Sequence, residues 1–480
     1  MHGQAGMLLP FPLDTGMARL NHYDLLALGF MTFALFLGAG NIIFPPLAGL
    51  QAGEHLLPAA LGFLITAVGL PLLTVVALAR VGGGMPALTR PLGKQAGTVL
   101  AVAVYMVIGP LFATPRTAVA SFEIGISPFS GRGSFALSMY TTAFFLVVWS
   151  LVLFPGRLID TVGKLITPVL ILTLIVLGWA GLALPAGPVA PPQGDYIAQP
   201  LLKGFLEGYL TMDALGALVF GIVIATAVRD RGVHDRRLVT RYSIIAVLIA
   251  ATALALVYLS LFYLGAGSGV LAQGVSNGGE LLTRYVQHSF GTPGLLLLAV
   301  VIVLACLTTA VGLMAACGEY FSELLHLPYR AVASAFVLLS WLISNVGLTQ
   351  LIEFSVPVLV GLYPLAIVLV LLSLADTLWQ VPRRVIAPVM AVTLVFAIAD
   401  GLAAAGIAQW VDRGLAMWPQ DGTAWQVLEA GRRHGTAFFQ GLPLAHMGMG
   451  WTVPALGALL VAATIDRFRG PPNDQGPSLS

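Results

Sequence analysis

Apolar runs of about twenty residues recur along the whole chain, and they constrain its fold more than any other feature. A transmembrane α-helix needs about 20 consecutive apolar residues to cross a bilayer. Hydrophobic residues make up 58% of the 480 positions and charged residues only 9%. The sequence therefore predicts an all-α integral membrane protein with twelve transmembrane helices. The twelve runs lie at 24–50, 57–80, 98–121, 136–154, 162–184, 205–227, 240–266, 294–323, 329–347, 350–373, 386–408 and 450–466.

Basic residues are distributed unevenly over the loops of this arrangement. With the N-terminus in the cytoplasm, sixteen of the 23 lysines and arginines fall inside and six outside, and Arg116 falls within the third helix. The positive-inside rule thus predicts a multi-pass membrane protein with both termini in the cytoplasm. The net charge of +2 and the scattered basic residues predict no nucleic-acid partner. The expected environment of the helices is the lipid bilayer.

The first predicted helix is interrupted at its middle, in the stretch FALFLGAGNIIFPP at 33–46. Pro45 and Pro46 lack the N–H groups that the carbonyls four residues earlier would accept. Gly38 and Gly40 let the backbone leave helical dihedrals and let another group approach closely. In hydrocarbon the freed backbone groups need partners, which a cation and a carboxylate would provide. The alternative is a kinked, tightly packed helix without a ligand.

A second interruption occurs in the sixth predicted helix, at GYLTMDALGALVFG (208–221). A proline-rich stretch at 184–200 separates two groups of five helices, and each group begins with an interrupted helix. Because five is odd, the second group enters the membrane in inverted orientation. This pattern predicts a 5+5 inverted repeat with broken helices 1 and 6, plus two C-terminal helices, and a substrate site where the breaks meet.

The predicted repeats divide the chain into six segments. They are a cytoplasmic tail at 1–23, the first repeat at 24–184, an external linker at 185–204, the second repeat at 205–373, helices 11 and 12 at 374–466 with a long external loop at 409–449, and a cytoplasmic tail at 467–480. We assign no function to the loop.

Three motifs carry a family resemblance. FLGAGNIIFPP in the first helix, GPLFATPRTAVASFE at 109–123 in the third and GYLTMDALGALVFG in the sixth resemble the signatures of the branched-chain amino acid:cation symporter family. The resemblance extends over essentially the whole chain. It implies the leucine-transporter type of inverted-repeat fold, within the amino acid/polyamine/organocation superfamily. It also implies import of leucine, isoleucine and valine with sodium or protons, by alternating access.

The resemblance further implies a substrate site at the two breaks. Gly38 and Gly40 would offer N–H groups to the amino acid carboxylate, with Phe36 and Asn41 near its amino group and a cation. Asp213 has two interpretations that do not exclude each other, a functional carboxylate in the membrane and the N-cap of the second half of the sixth helix. The complete expected set is Phe36, Gly38, Ala39, Gly40, Asn41, Thr211, Met212, Asp213, Ala214, Gly216 and Thr309.

The eighth predicted helix contains a candidate site for the coupling cation. Ala305, Thr308 and Thr309 stand at positions i, i+3 and i+4, which share one helical face. The resemblance implies a sodium site there, completed by the carbonyls of Ala34 and Leu37. The alternative is that the hydroxyls only bond carbonyls of their own helix. A proton bound at another group is the second possibility for the coupling ion.

Charged residues at membrane depth need partners. Arg116 is expected to pair with Asp213, with Glu123 or with freed carbonyls. We favour a structural pair, or an arginine that reaches toward an aqueous vestibule, over direct contact with substrate. The group Arg116, Glu123 and Asp213 is thus predicted to carry structural or coupling charges.

The sequence lacks the residues that an enzymatic reaction would need. All eight histidines fall in tails, loops or helix ends, so the sequence predicts no metal centre and no cofactor. There is no phosphate-binding loop of the kind that ATP-driven transport requires. The alternatives to branched-chain amino acid symport are a cation-coupled carrier of another apolar or aromatic solute, a channel, or a membrane subunit without transport activity. The oligomeric state does not follow from the sequence.

Overall fold

The computed structural model of this protein describes residues 20–153, 157–407, 438–439 and 441–470. That part of the chain is helical between short connections and contains no β-strand. The helices are α1 (His22–Phe36), α2 (Ala39–Ala52), α3 (Leu56–Leu64), α4 (Leu70–Val81), α5 (Met85–Leu88), α6 (Lys94–Met106), α7 (Ala113–Ser121), α8 (Ser127–Ser130), α9 (Ser134–Leu153), α10 (Arg157–Ala183), α11 (Pro200–Glu207), α12 (Asp213–Arg229), α13 (Arg236–Ala266), α14 (Gly278–Leu325), α15 (Tyr329–Ser344), α16 (Leu348–Leu374), α17 (Pro382–Ala404) and α18 (Thr452–Arg469).

The described helices include many that can cross a membrane. Seven helical stretches are long and apolar enough to do so, and α11 with α12, bent by 45°, makes an eighth if the pair is one span. The all-α, multi-pass membrane architecture is thereby confirmed. The count of twelve spans, the inverted repeat and the segment boundaries stay predictions. Most of the loop predicted at 409–449 lies outside the described residues.

Two of the predicted helices have a different course in the structure. The eighth, predicted at 294–323, belongs to α14, which begins sixteen residues earlier at Gly278 and changes direction at Gly291 (φ 63°, ψ −158°). The third, predicted as one helix at 98–121, is divided between α6 and α7 by the π-helical turn Val107–Leu111. In that turn Gly109 has non-helical dihedrals (φ −82°, ψ −111°) and Pro110 has no N–H to donate.

Glycines let two pairs of helices touch through their backbones. A Cβ at Gly49 of α2 would lie 2.0 Å from the Phe262 carbonyl oxygen of α13, and one at Gly265 would lie 1.9 Å from the Pro46 carbonyl oxygen. In the same way, a Cβ at Gly204 of α11 would lie 2.0 Å from the carbonyl oxygen of Ala59 in α3. Small residues allow this close approach, which is a main source of helix association in membranes.

Candidate functional site

The first helix break lies between α1 and α2. Leu37 (φ −72°, ψ 87°) and Gly38 (φ −107°, ψ −170°) connect the two helices in a non-helical backbone. The N–H of Gly38 donates to the Phe36 carbonyl at 2.8 Å and to Asn41 Oδ1 at 3.2 Å, instead of continuing the helical ladder to the carbonyl of Ala34. The break therefore exposes carbonyls at the end of α1 and N–H groups at the start of α2.

The two glycines of this break have different roles. Gly38 adopts dihedrals open to any residue, and Gly40 lies within α2, so the expectation that both provide conformational freedom is wrong. A Cβ at Gly40 would stand 2.8 Å from Arg116 Nη2 and 3.2 Å from the Thr211 Cα. At Gly38 the nearest atom is a methyl group of Thr309 at 3.4 Å. Packing therefore leaves less room for a side chain at position 40 than at position 38.

The second break lies between α11 and α12. The 3-10 turn Gly208–Thr211 follows α11, and Met212 then takes a left-handed conformation (φ 64°, ψ 11°). Such dihedrals cost a non-glycine residue roughly 1–2 kcal/mol. Met212 occupies the N-cap position and Asp213 is the first residue of α12. The alternative that Asp213 serves as the N-cap is therefore wrong.

The Asp213 side chain joins three helices. It is buried, and its Oδ2 accepts hydrogen bonds from Asn41 Nδ2 at 2.8 Å and from the Tyr258 hydroxyl at 2.7 Å. Asn41 Nδ2 also contacts the Tyr258 hydroxyl directly. These contacts connect the start of α2 and the start of α12 to the middle of α13. Tyr258 is a residue of this site that the sequence analysis missed.

Arg116 of α7 is buried against the second break. Its Nη1 donates to the Leu210 carbonyl at 2.7 Å and its Nη2 to the Thr211 carbonyl at 3.3 Å. The guanidinium carbon also lies 5.2 Å from the centre of the Phe44 ring, a cation–π distance. Of the three partners considered for Arg116, the structure thus places freed carbonyls at the guanidinium. The described residues contain no ion pair between Arg116 and Asp213.

Glu123 lies apart from this centre. Its Oε2 accepts a hydrogen bond of 2.9 Å from Nδ2 of Asn277, the residue that caps the start of α14. Asn277 is followed by Glu280, which forms ion pairs with Arg132 and Arg284. Glu123 therefore belongs to a polar cluster at the start of α14 and not to the group formed by Arg116 and Asp213.

The two threonines of the candidate cation site make different hydrogen bonds. The Thr309 hydroxyl donates to the Leu37 carbonyl at the end of α1, at 3.5 Å. The Thr308 hydroxyl instead donates to the carbonyl of Ala305 in its own helix at 2.9 Å. Thr309 therefore contacts the Leu37 carbonyl, as expected for the candidate cation site. The Ala34 carbonyl does not accept the helical hydrogen bond of the Gly38 N–H, which donates to Phe36 instead. Among the described residues no group of three or more His, Cys, Asp and Glu could hold a metal ion.

A small cavity connects these features. Every residue expected to bind substrate lines it except Ala214, which is fully buried inside α12. Its apolar wall includes Phe36 and Phe220, whose rings meet edge to face at 6.1 Å. Arg116 and Asp213 both line the same cavity.

Sequence reasoning missed part of the cavity wall. Leu313 stands four residues after Thr309 and Phe220 four after Gly216, so helical periodicity could have identified both. Ile108 enters the wall through the turn at Gly109, which only a bend in the third helix could have indicated. Leu35, Ala113 and Thr117 complete the missed lining.

Comparison with known proteins gives consistent matches over nearly the full length. Residues 21–469 match a family model described as branched-chain amino acid transport protein. The branched-chain amino acid transport system 2 carrier protein of Pseudomonas aeruginosa is 59% identical, with 95% of this chain and 99% of the relative covered. The branched-chain amino acid permease BrnQ of Escherichia coli is 47% identical, with 94% and 98% covered.

A solved structure is also similar. A mutant of the manganese transporter of Eremococcus coleocola superposes with a TM-score of 0.53 at 14% identity, with 95% of this chain and 98% of that chain covered. At this identity the likeness shows the fold alone.

Proposed function

Because the chain belongs to the branched-chain amino acid transport protein family, we propose that it is a secondary active transporter that imports leucine, isoleucine and valine with a cation through alternating access. The protein would act in the bacterial cytoplasmic membrane with both termini in the cytoplasm. The observation that carries this proposal is the cavity between the two helix breaks. Unpaired backbone groups and buried charges meet an apolar wall there, as an amphipathic solute requires.

The apolar wall supports a branched aliphatic side chain as the part of the substrate that is recognised. The large apolar side chains that line the cavity include Phe36, Ile108, Phe220 and Leu313. A charged side chain placed against them would lose its hydration without gaining a partner, at a cost of several kcal/mol. The free N–H groups at the start of α2 suit the substrate carboxylate. The proposed binding set is the one expected from the sequence without Ala214, which is buried and does not line the cavity.

The end of α1 supports coupling to sodium. The proposed ligands are the carbonyls of Ala34, Leu37 and Ala305 with the hydroxyls of Thr308 and Thr309. They are neutral oxygens, which suit a cation that must bind and leave in each cycle. The contact between Thr309 and the Leu37 carbonyl supports this position. A proton at Asp213 is the alternative coupling ion.

Counterflow of radiolabelled leucine in proteoliposomes tests the proposal. We expect exchange that requires sodium, competition by excess isoleucine and valine, and little competition by lysine or glutamate. Liposomes without protein give the background. Displacement of leucine by lysine as effective as that by isoleucine would contradict the pocket assignment. Exchange that ignores sodium and follows an imposed pH gradient would replace sodium with the proton, and an absence of exchange would reject transport.

A further inference from the structure

Two opposite charges line the cavity without touching each other. Arg116 is 3% exposed and Asp213 is 5% exposed, and no ion pair joins them in the described part of the chain. The guanidinium contacts two backbone carbonyls and an aromatic ring, and the carboxylate contacts an amide and a hydroxyl. All of these partners are neutral. Buried charges are costly without a counter-charge, so the cavity offers both a positive and a negative place to an incoming ligand.

The guanidinium stands at the N-terminal end of α2. A Cβ at Gly40 would lie 2.8 Å from Arg116 Nη2. Gly40 is the second residue of α2, so Nη2 lies against the first turn of that helix, and the guanidinium carbon lies 5.2 Å from the ring of Phe44 one turn further on. The free N–H groups and the guanidinium therefore concentrate positive potential at one end of the cavity.

Both charged groups retain hydrogen-bonding capacity. A guanidinium carries five N–H donors, and in the described structure the hydrogen bonds of Arg116 reach the carbonyls of Leu210 and Thr211. A carboxylate has about four lone-pair positions on two oxygens, whereas the donors from Asn41 and Tyr258 both meet Oδ2. Arg116 can thus still donate to a carboxylate, and Asp213 can still accept from an ammonium group.

We propose that Arg116 binds the α-carboxylate of the substrate and that Asp213 receives its α-ammonium group, so that the cavity selects zwitterionic α-amino acids. This inference rests on the proposed function, since it concerns the same site. It gives Arg116 a direct contact with substrate, in contrast to the structural role favoured by the sequence alone. An arginine can hold a carboxylate with two parallel N–H···O bonds, which add energy and geometric specificity to the hydrogen bonds from backbone N–H groups.

A purely structural role makes a different prediction. If Arg116 only holds the carbonyls of the second break, its loss will weaken every ligand of the cavity by a similar factor. If it binds the carboxylate, its loss will weaken only ligands that have one. Three ligands separate the two cases: leucine, leucinamide, which lacks the carboxylate, and 4-methylpentanoate, which lacks the ammonium group.

The experiment measures competition by these three ligands against radiolabelled leucine, using the purified full-length protein. In the wild type we expect both analogues to bind about 100-fold more weakly than leucine. Arg116→Gln is expected to weaken leucine about 100-fold while leucinamide stays within about threefold or binds more tightly. Asp213→Asn is expected to weaken leucine and to leave 4-methylpentanoate within about threefold.

Two further variants complete the design. Arg80→Gln is the matched control, since Arg80 also donates to a backbone carbonyl, that of Leu374, but is exposed and remote from the cavity. It should leave all three affinities unchanged. The double variant Arg116→Gln with Asp213→Asn keeps the charge balance if the single variants fail to fold, and it should bind the three ligands with affinities that differ by less than about tenfold.

Several results would overturn the inference. Equal weakening of leucine and leucinamide in Arg116→Gln would assign Arg116 to the helix break alone. If no variant at position 116 folds, wild-type binding of leucinamide within about threefold of leucine has the same meaning. A wild type that binds no leucine would instead reject the proposed function.

Discussion

The two helix breaks that meet at the cavity are built differently. Between α1 and α2 the chain passes through Leu37 and Gly38 in dihedrals that any residue can adopt. Between α11 and α12 it passes through Met212 in a left-handed conformation, which costs roughly 1–2 kcal/mol. The Leu37 carbonyl faces the neutral hydroxyl of Thr309, whereas the carbonyls before Met212 face the permanent charge of Arg116.

The second break therefore has a fixed charge beside it, and the first break has room for a charge that can come and go. The guanidinium remains with the protein in every state, because arginine does not lose its proton in proteins. In the proposed transport cycle it would therefore stabilise the strained second break in every state. The first break has a neutral donor at its carbonyl, so a cation that binds there adds charge and can leave again. In the proposed symport, the first break would accordingly be the one that responds to the coupling ion.

The largest expected effect concerns the contact between the two breaks. Gly40→Ala places a methyl group against the Thr211 backbone and the Arg116 guanidinium, so we expect leucine uptake to fall more than about 100-fold through the loss of packing. Gly38→Ala meets only a methyl group at 3.4 Å and should retain uptake within about threefold. Initial uptake rates at equal membrane expression test both.

The pair of glycine variants is its own control, since each adds one methyl group to the same break. Equal uptake by the two variants would show that the breaks do not depend on close contact at Gly40. If Gly40→Ala alone is lost from the membrane, its leucine binding is measured in detergent instead, and weakened binding is the expected result.

An intermediate effect is expected from the hydroxyl that connects α13 to both breaks. Tyr258→Phe removes one of the two donors to Asp213 Oδ2 but keeps the ring, which packs edge to face on Phe63 at 5.4 Å. We expect uptake efficiency to fall by about tenfold, the effect of losing one hydrogen bond to a buried charged group. The control is Tyr285→Phe, whose hydroxyl donates to the remote Leu184 carbonyl. If both variants lost activity equally, Tyr258 would have no special connection to the breaks.

The smallest effect is expected at the candidate cation site. Thr309→Ala removes the hydroxyl at the Leu37 carbonyl, and we expect it to raise the sodium concentration for half-maximal leucine uptake about fivefold, because one neutral ligand is lost. Thr308→Ala should have a smaller effect, since that hydroxyl is engaged with its own helix. Titration of uptake with sodium measures both constants. A larger shift for Thr308→Ala would place the cation away from the Leu37 carbonyl.

Apolar length predicts most of the helices but not their internal geometry. The first half of α14 escaped prediction because it contains Glu280, Arg284 and His288 and does not resemble a membrane span. The division between α6 and α7 escaped because Gly109 and Pro110 lie in a continuous apolar run, whose hydropathy carries no information about dihedrals. Polarity and strain, rather than length, thus limit the prediction of the fold.

The candidate site shows the same limit. Residues near the interruptions could be predicted because paired prolines, glycines and an asparagine coincide in one membrane helix and a carboxylate lies in another. Tyr258 could not, since it reaches Asn41 across 217 positions of sequence and sits in an unbroken apolar helix. The different roles of Gly38 and Gly40 also depend on what lies opposite each Cα, which only tertiary packing determines.

The glycine contacts between α2 and α13, and between α3 and α11, have a mechanical consequence. Backbone atoms that touch directly have no rotamers to change, so neither interface can adjust by repacking its side chains. We therefore expect each pair to move as one rigid lever. The second half of the first break is tied to α13, and the first half of the second break is tied to α3. If either lever rotates, the helix end at the cavity moves with it. The interfaces that adjust during such a rotation would be those made by flexible side chains.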